Sequence, residues 1–506
     1  MRGSQANPRR GRRARPERVA APAYVTRAIP YYALLDEEAL ERIERQALRL
    51  LEDYGIEFRE APDALARWKA VGADVRESRV RIPAEMIRHL LSSAPAEFTQ
   101  VARNPARSVR IGGSAQVFAP VYGPPFVRDL EHGRRYGTLE DFQRLVKLTH
   151  QLAPLHHSGF VTCEPCDVPV SKRHLDMLLA HMTLTDKPHL GAITSKSRAE
   201  DSIAMARLLH GEEAFASGCV IMANVNTNSP MLVDKVVTDA AEVYSAAGQG
   251  LIVVPFILSG AMGPVTTAAA IAQALAEAMA VGAYTQLVRP GAPFILGNFL
   301  SSMNLRSGAP TFGMPEPLMS NLAVGQLARR LRLPLRCGGA LTASKLPDAQ
   351  AAYESADSML STVLGGANYI LHAAGWLESG LATGYEKLVL DADRLGAYEV
   401  VLRGFSTDDD ALGRDAYGDV APGGHFLGSA HTLAHYTSAF YEAALSDSNS
   451  VEQWEEQGSK DSAQRAHERW KKLLADYEPP PIDAAILEAL NEFVARRKSE
   501  LPDAWY

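Results

Sequence analysis

The chain has 506 residues, 46% of them hydrophobic and 22% charged, with a formal net charge of -7. These values suit a soluble protein with a large core and offer no basic face for nucleic acid. Four cysteines make no disulfide framework, and the longest apolar window, residues 268–288, carries Gln273, Glu277 and Gln286, which would be costly in lipid. The expectation is a cytoplasmic protein with neither nucleic acid nor membrane as partner.

Residues 1–30 begin with Arg2, Arg9, Arg10, Arg12, Arg13, Arg15 and Arg18 among Gly, Pro and Ser. That composition cannot bury apolar area and predicts a disordered basic tail; no apolar segment follows before Tyr31, as an export signal would require. Residues 31–110 read as an N-terminal helical extension. Asp36 caps a helix with Leu40, Ile43, Ala47, Leu50 and Leu51 on one face, Gly55 stops it, and two shorter helices follow near 63–71 and 83–93.

Residues 111–405 alternate short apolar runs with amphipathic helices. Eight strands are predicted, at 116–121, 157–162, 189–194, 219–225, 251–257, 293–299, 334–340 and 368–373. Eight βα repeats over about 260 residues match a closed (β/α)8 TIM-type barrel. An open doubly wound sheet is the alternative, but no Gly-x-Gly-x-x-Gly turn opens a helix. The helix over 265–287 is apolar around most of its circumference, more than covering a strand requires, which predicts a homo-oligomer interface. In the C-terminal part, 406–506, an acidic loop at 407–419 precedes a long charged helix over 451–477 and a last helix over 483–498, together forming a helical cap.

Chemistry in parallel βα folds collects at the carboxyl ends of strands. There the chain places Tyr122, Glu164, Asn224, Asn226, Phe299, Asn304, His372 and Trp376, a cleft with aromatic walls and few fixed charges, suited to a small cationic or polar ligand. Ile370-Leu-His-Ala-Ala-Gly-Trp376 is the sharpest local feature. A lone His on an apolar strand is as often a core residue, but seven preceding strands favour the site for His372. Glu378 and Glu386 read as helix N-terminal charges, with orientation of His372 as the lesser alternative. Cys163-Glu-Pro-Cys166 with His425, His431 or His435 makes a zinc enzyme a rival, though only one Cys-x-x-Cys is present. Neither a phosphate-cradling Gly-Lys-Ser/Thr loop nor a Gly-x-Ser-x-Gly elbow occurs.

Further blocks are Gly260-Ala-Met-Gly-Pro264, Arg289-Pro-Gly-Ala-Pro293, Ser307-Gly-Ala-Pro-Thr-Phe-Gly313, Pro347-Asp-Ala-Gln350 with Tyr353-Glu354, Tyr385-Glu-Lys387, and Gly423-Gly-His-Phe-Leu-Gly428 with His431-Thr-Leu433. With 370–376 they resemble, in order and over residues 34–497, the trimethylamine methyltransferase family of corrinoid-dependent barrel enzymes. The resemblance implies methyl transfer from a methylated amine to the Co(I) of a corrinoid (cobalamin) carried by a separate corrinoid-binding protein, with no cofactor or metal held by this chain. Members acting on trimethylamine carry pyrrolysine; this chain has only the twenty standard residues and is similar to the members acting on glycine betaine. A quaternary nitrogen already bears the charge that leaves with the C–N electrons, so positioning and exclusion of water suffice. On this basis His372 and Glu164 are assigned to catalysis, Tyr122, Phe256, Phe299 and Trp376 to an aromatic cage, Asn224 to substrate binding, and Arg306 or His372 to a substrate carboxylate. Trimethylamine as substrate, the zinc enzyme and a non-catalytic amine-binding homologue are the alternatives.

Overall fold

Runs of Val, Ile, Leu and Phe buried on both faces are what a helix-covered parallel sheet demands, and the computed structural model, which describes residues 22–505, has six such strands. They are β1 (Ala115–Phe118), β2 (Met222–Thr227), β3 (Gly250–Leu258), β4 (Phe294–Gly297), β5 (Leu335–Gly338) and β6 (Tyr369–Leu371). All pair in parallel in the spatial order β1-β6-β5-β4-β3-β2. The result is a mixed α/β fold with a curled, half-barrel sheet.

The second and third expected strands, 157–162 and 189–194, do not form as regular strands. Gly159 takes φ 73° and breaks the extended run. Irregular backbone spans this gap instead: the His156 and His157 amides both donate to Phe118 O, Ser158 N to Pro188 O (2.8 Å), Leu190 N to Gly159 O (2.9 Å) and Gly191 N to Met222 O (2.8 Å). The closed ring of eight regular strands is thereby corrected to six strands and two bridging segments.

The helix Thr267–Val288 packs against β3 and β4 on one side and against helices Glu37–Arg49, Ala84–Leu91 and Lys235–Ala246 on the others. Its polar residues are satisfied inside the chain: Glu277 accepts from Thr227 Oγ1 (2.6 Å), Ser229 Oγ (2.6 Å), Met231 N (2.8 Å) and Gln273 Nε2 (2.9 Å), while Gln286 Nε2 donates to Ala292 O (3.0 Å). The all-round apolar surface that suggested an oligomer interface is thus covered by the chain's own N-terminal extension. No helix among the described residues is long and apolar enough to cross a membrane.

That extension contains the expected helices, the first capped by Asp36 Oδ1 accepting from Ala39 N (2.9 Å). It also contains strands too short to show a period, Ile56–Phe58, Asp74–Arg76 and Arg79–Arg81, and a hairpin of Glu97–Gln100 with Val109–Gly112. The basic tail lies largely outside the described residues, but its end is ordered: Val25–Thr26 pairs antiparallel with β1, and Arg27 is buried. At the other end the expected long helix is two, Val451–Glu456 and Ser462–Ala475, separated by Gly458 (φ 94°) and Ser459 (φ 54°). The second docks through Trp470 Nε1 and His467 Nδ1 on Glu386 Oε1 (2.9 and 2.7 Å).

Candidate active site

The side chain of Thr227 reaches outward to Glu277 on the covering helix. Alternation along β2 therefore turns Asn224 and Asn226 to the inner face. Asn224 is buried, yet its Oδ1 has no partner, an acceptor that a closed core would not leave open. The register Asn224↔Ile252 and Asn226↔Val254 carries the same face through β3 to Phe256.

Beyond the ends of the strands, rings converge. Phe256 lies 5.2 Å from Phe299, which begins the short strand Phe299–Met303 pairing with Phe256–Leu258. Phe299 stacks on His372 at 5.4 Å and 20° and meets Trp376 edge-on at 5.9 Å; His372 and Trp376 are 4.5 Å apart. Phe312 closes the group at 5.4 Å from Trp376. Phe256, Phe299 and Tyr122 are only partly buried, whereas Phe312 and Trp376 are buried behind them. Trp376 is also pinned: Nε1 donates to Thr342 O at 3.0 Å, and a Cβ on Gly380 (φ 92°) would stand 2.5 Å from the indole. Trp376 is thus a fixed wall; of the clustered rings only Phe256 and Phe299 keep some exposure, and Tyr122 is tied to the group through its backbone N–H on His372.

His372 has φ 61°, uncommon for a residue with a side chain and frequent at functional sites. Its Nδ1 accepts from Tyr122 N at 3.2 Å. In the neutral ring this leaves Nε2 as the N–H donor. Burial, and after it the Arg336 charge, holds the imidazole pKa well below its ordinary value, so the ring is neutral near pH 7. Enclosure raises the Tyr122 phenol, and Glu164 adds to it.

Arg336, in the middle of β5, is the group that sequence reasoning missed. It is 1% exposed, its Nε is unpaired, Nη1 reaches only Asn298 O at 3.3 Å, and it has no ion-pair partner among the described residues. The guanidinium lies 5.1 Å from the centre of the Phe299 ring. Burial lowers its pKa to about 10, which leaves it charged at neutral pH. Keeping a cation dry without a counter-charge is costly, and an arginine in an otherwise apolar strand with no acidic neighbour was the signal available in the sequence.

Of the other expected residues, Glu164 lies near enough to Tyr122 to act on its phenol, and the rest have settings of their own. Arg306 is exposed on a turn, and its side chain has no hydrogen-bond, ion-pair or cation–π partner among the described residues. Glu164 is ion-paired with Arg173 at 3.1 Å. Glu378 pairs with Arg134 (2.8 Å) and Glu386 holds the C-terminal helix, so neither orients His372. Asp391 supports the site from behind: in a buried pair with Lys387 (2.5 Å), it accepts from Gly375 N at 2.9 Å. Its surroundings form a cavity of about 980 Å³ between helices Ala349–Gly365 and Tyr385–Arg403 that does not include the ring cluster. The ring cluster, by contrast, combines partly exposed aromatic side chains with polar atoms left without partners, Asn224 Oδ1 and Arg336 Nε. Cys163 is buried with its thiol pKa raised, and Cys166 bonds only Pro125 O at 3.7 Å. Neither belongs to the one convergence of three or more His, Cys, Asp and Glu donors among the described residues, so the Cys-x-x-Cys zinc centre is not assembled.

Aromatic rings and a neutral histidine donor beyond the ends of parallel strands, with an unpaired buried cation within one strand beside them, mark the candidate site of an α/β protein. Comparison with known proteins sharpens the class. The model of the trimethylamine methyltransferase (MTTB) family matches residues 2–502; the chain belongs to this family and is a methyltransferase. It is 36% identical over 474 residues to a glycine betaine methyltransferase of Desulfitobacterium hafniense (strain Y51), covering 94% of this chain and 98% of the relative. It is 26% identical over 491 residues to a proline betaine:corrinoid methyltransferase of Eubacterium limosum, covering 93% and 99%. Among solved structures, a monomethylamine methyltransferase of Methanosarcina barkeri aligns distantly, at TM-score 0.46 and 11% identity over 88% of this chain and 95% of that one.

Proposed function

We propose that the chain takes a methyl group from a betaine, a quaternary amine that also bears a carboxylate, and passes it to the Co(I) of a separate corrinoid protein. The curled sheet with its two bridging segments acts as a (β/α)8 barrel, and the substrate sits at its mouth. The observation that carries the reading is Arg336: a buried cation without a counter-charge, beside partly exposed aromatic side chains. A zwitterion answers both features. Its carboxylate neutralises Arg336 and accepts from His372 Nε2–H, and its trimethylammonium end packs on Phe256, Phe299 and Tyr122, each face contributing about 0.5 to 2 kcal/mol when desolvated. The unpaired Oδ1 of Asn224 faces the same interior.

The transfer breaks one C–N bond, whose electrons stay on nitrogen and leave a neutral tertiary amine that still carries its carboxylate, the departing methyl cation's charge going to the cobalt. The partner's reduced cobalt supplies the electron pair that takes the methyl group. No proton needs to move, which fits a histidine that donates and is kept neutral first by burial and then by the Arg336 charge. The residues bind, orient and exclude water. Glycine betaine methyltransferase and proline betaine:corrinoid methyltransferase among the relatives support this reading.

The test is a transfer assay with a panel of methylated amines, with and without a reduced corrinoid protein. Demethylation of a betaine only when that protein is present is expected. Turnover by the purified chain alone would refute the proposal.

A further inference from the structure

Between the barrel-forming part and the C-terminal helices, one cluster of ligating side chains has no part in the reaction. His431 and His435 stand one turn apart on the short helix Ala430–His435, with ring centres 4.6 Å apart. Asp410 approaches both from a separate turn: its Oδ2 is 3.0 Å from His435 Nε2, and its carbonyl is 3.0 Å from His431 Nε2. One ligand atom from each of the three lies within 4.8 Å of the others.

We propose that Asp410, His431 and His435 bind a divalent transition-metal ion and that the ion clamps the turn at 406–413 to the helix at 430–435. Two imidazoles and one carboxylate suit zinc, nickel or cobalt rather than calcium or magnesium, which need mostly oxygen donors. Donors on a tetrahedral ion are about 3.4 Å apart, so the three must close only slightly. Both ligand-bearing pieces are ordered beforehand. Asp408 Oδ1 accepts from Ala411 N (2.8 Å) and Asp408 Oδ2 from Ser406 Oγ (2.8 Å), shaping the turn that presents Asp410. The buried Ser429 caps the helix by accepting from Thr432 N at 3.2 Å. Gly413 supplies the left-handed φ of 61° with which the turn ends beside His431. Asp410 is exposed and both histidines are half-exposed, so water completes the coordination of the ion, whose role is structural.

The test uses the untagged full chain, freed of metal by chelator and dialysis, titrated with zinc chloride alone. One zinc per chain is expected, retained in Cys163→Ser/Cys166→Ser and in His425→Ala, and weakened at least tenfold in His431→Ala/His435→Ala. Zinc should also slow tryptic cleavage after the exposed Arg414 in the parent but not in the double histidine variant. A parent chain without stoichiometric binding, or a double variant that binds as tightly, overturns the site. Binding that leaves cleavage at Arg414 unchanged overturns the clamp.

Discussion

The ring cluster at the strand ends and the segment at 404–450 both concentrate aromatic residues, and they hold them in opposite ways. At the strand ends every ring has a neighbouring ring within 6 Å or so, backbone hydrogen bonds fix the flanking turns, and Trp376 is bonded through its indole N–H. In the later segment Phe405 is 91% exposed, Phe440 84% and Leu427 77%. A site that must tell one small cation from another needs rigid walls and cannot tolerate water. The later segment is ordered by local capping and by polar contacts at His431 and His435, so its aromatic content says nothing of a ligand cage. Placement on strands, rather than residue type, separates the two.

The largest effect expected falls on the buried half of this comparison and comes from acid. His157, His181, His189 and His372 are buried, and burial lowers each pKa, to about 4 for His181 and well below the ordinary value for the other three. The unfolded chain therefore binds more protons than the folded one below the ordinary histidine pKa of about 6.5, so their contribution to stability is full above that value and lost as pH falls toward 4. Each pKa unit is worth about 1.4 kcal/mol, and all four shifts act in the same direction. Thermal melts from pH 7.5 to 4.5 should show Tm falling steeply below 6.5; a flat profile would break the assignment of a dry interior.

Next comes Trp376→Ala, which empties a buried wall and should cost about 3 to 5 kcal/mol of stability, read by denaturant melts. Arg336→Met should do the reverse. Removing an uncompensated buried charge leaves stability unchanged or raised, whereas losing the carboxylate anchor costs about 2 to 5 kcal/mol in kcat/KM for a betaine. A matching loss of stability would return Arg336 to a structural role. Phe299→Ala should weaken substrate binding by about 1 to 3 kcal/mol without unfolding the chain. Smallest, Phe405→Ser and Phe440→Ser should each shift stability by no more than about 0.5 kcal/mol.

Six strands were legible because each carries a short, mainly apolar run, even with Gln116, Asn224, Asn226 and Arg336 inside three of them. The other two were not formed as read, since Gly159 and the shared Phe118 carbonyl make irregular backbone of a sequence that looks extended. The strands at 56–58, 74–76 and 79–81 are too short for a period to appear. Position at strand ends found Phe256, Phe299, His372 and Trp376, which the structure brings together. The same rule passed over Arg336, which lies within a strand; Arg306, named for a substrate carboxylate on the strength of the resemblance, lies on an exposed turn. The alternation of β2 had the information to place Asn224, but only the bond from Thr227 to Glu277 tells which face is inside.

The central claim is that one site recognises a positive and a negative end together. Its most direct test measures methyl transfer to the same reduced corrinoid protein from glycine betaine, from choline, which keeps the quaternary nitrogen but has no carboxylate, and from trimethylamine, in the parent and in Arg336→Met at several pH values. Transfer from glycine betaine should exceed both others in the parent, and the variant should lose that advantage over choline. Equal use of choline by the parent, or faster transfer from trimethylamine throughout, would contradict it.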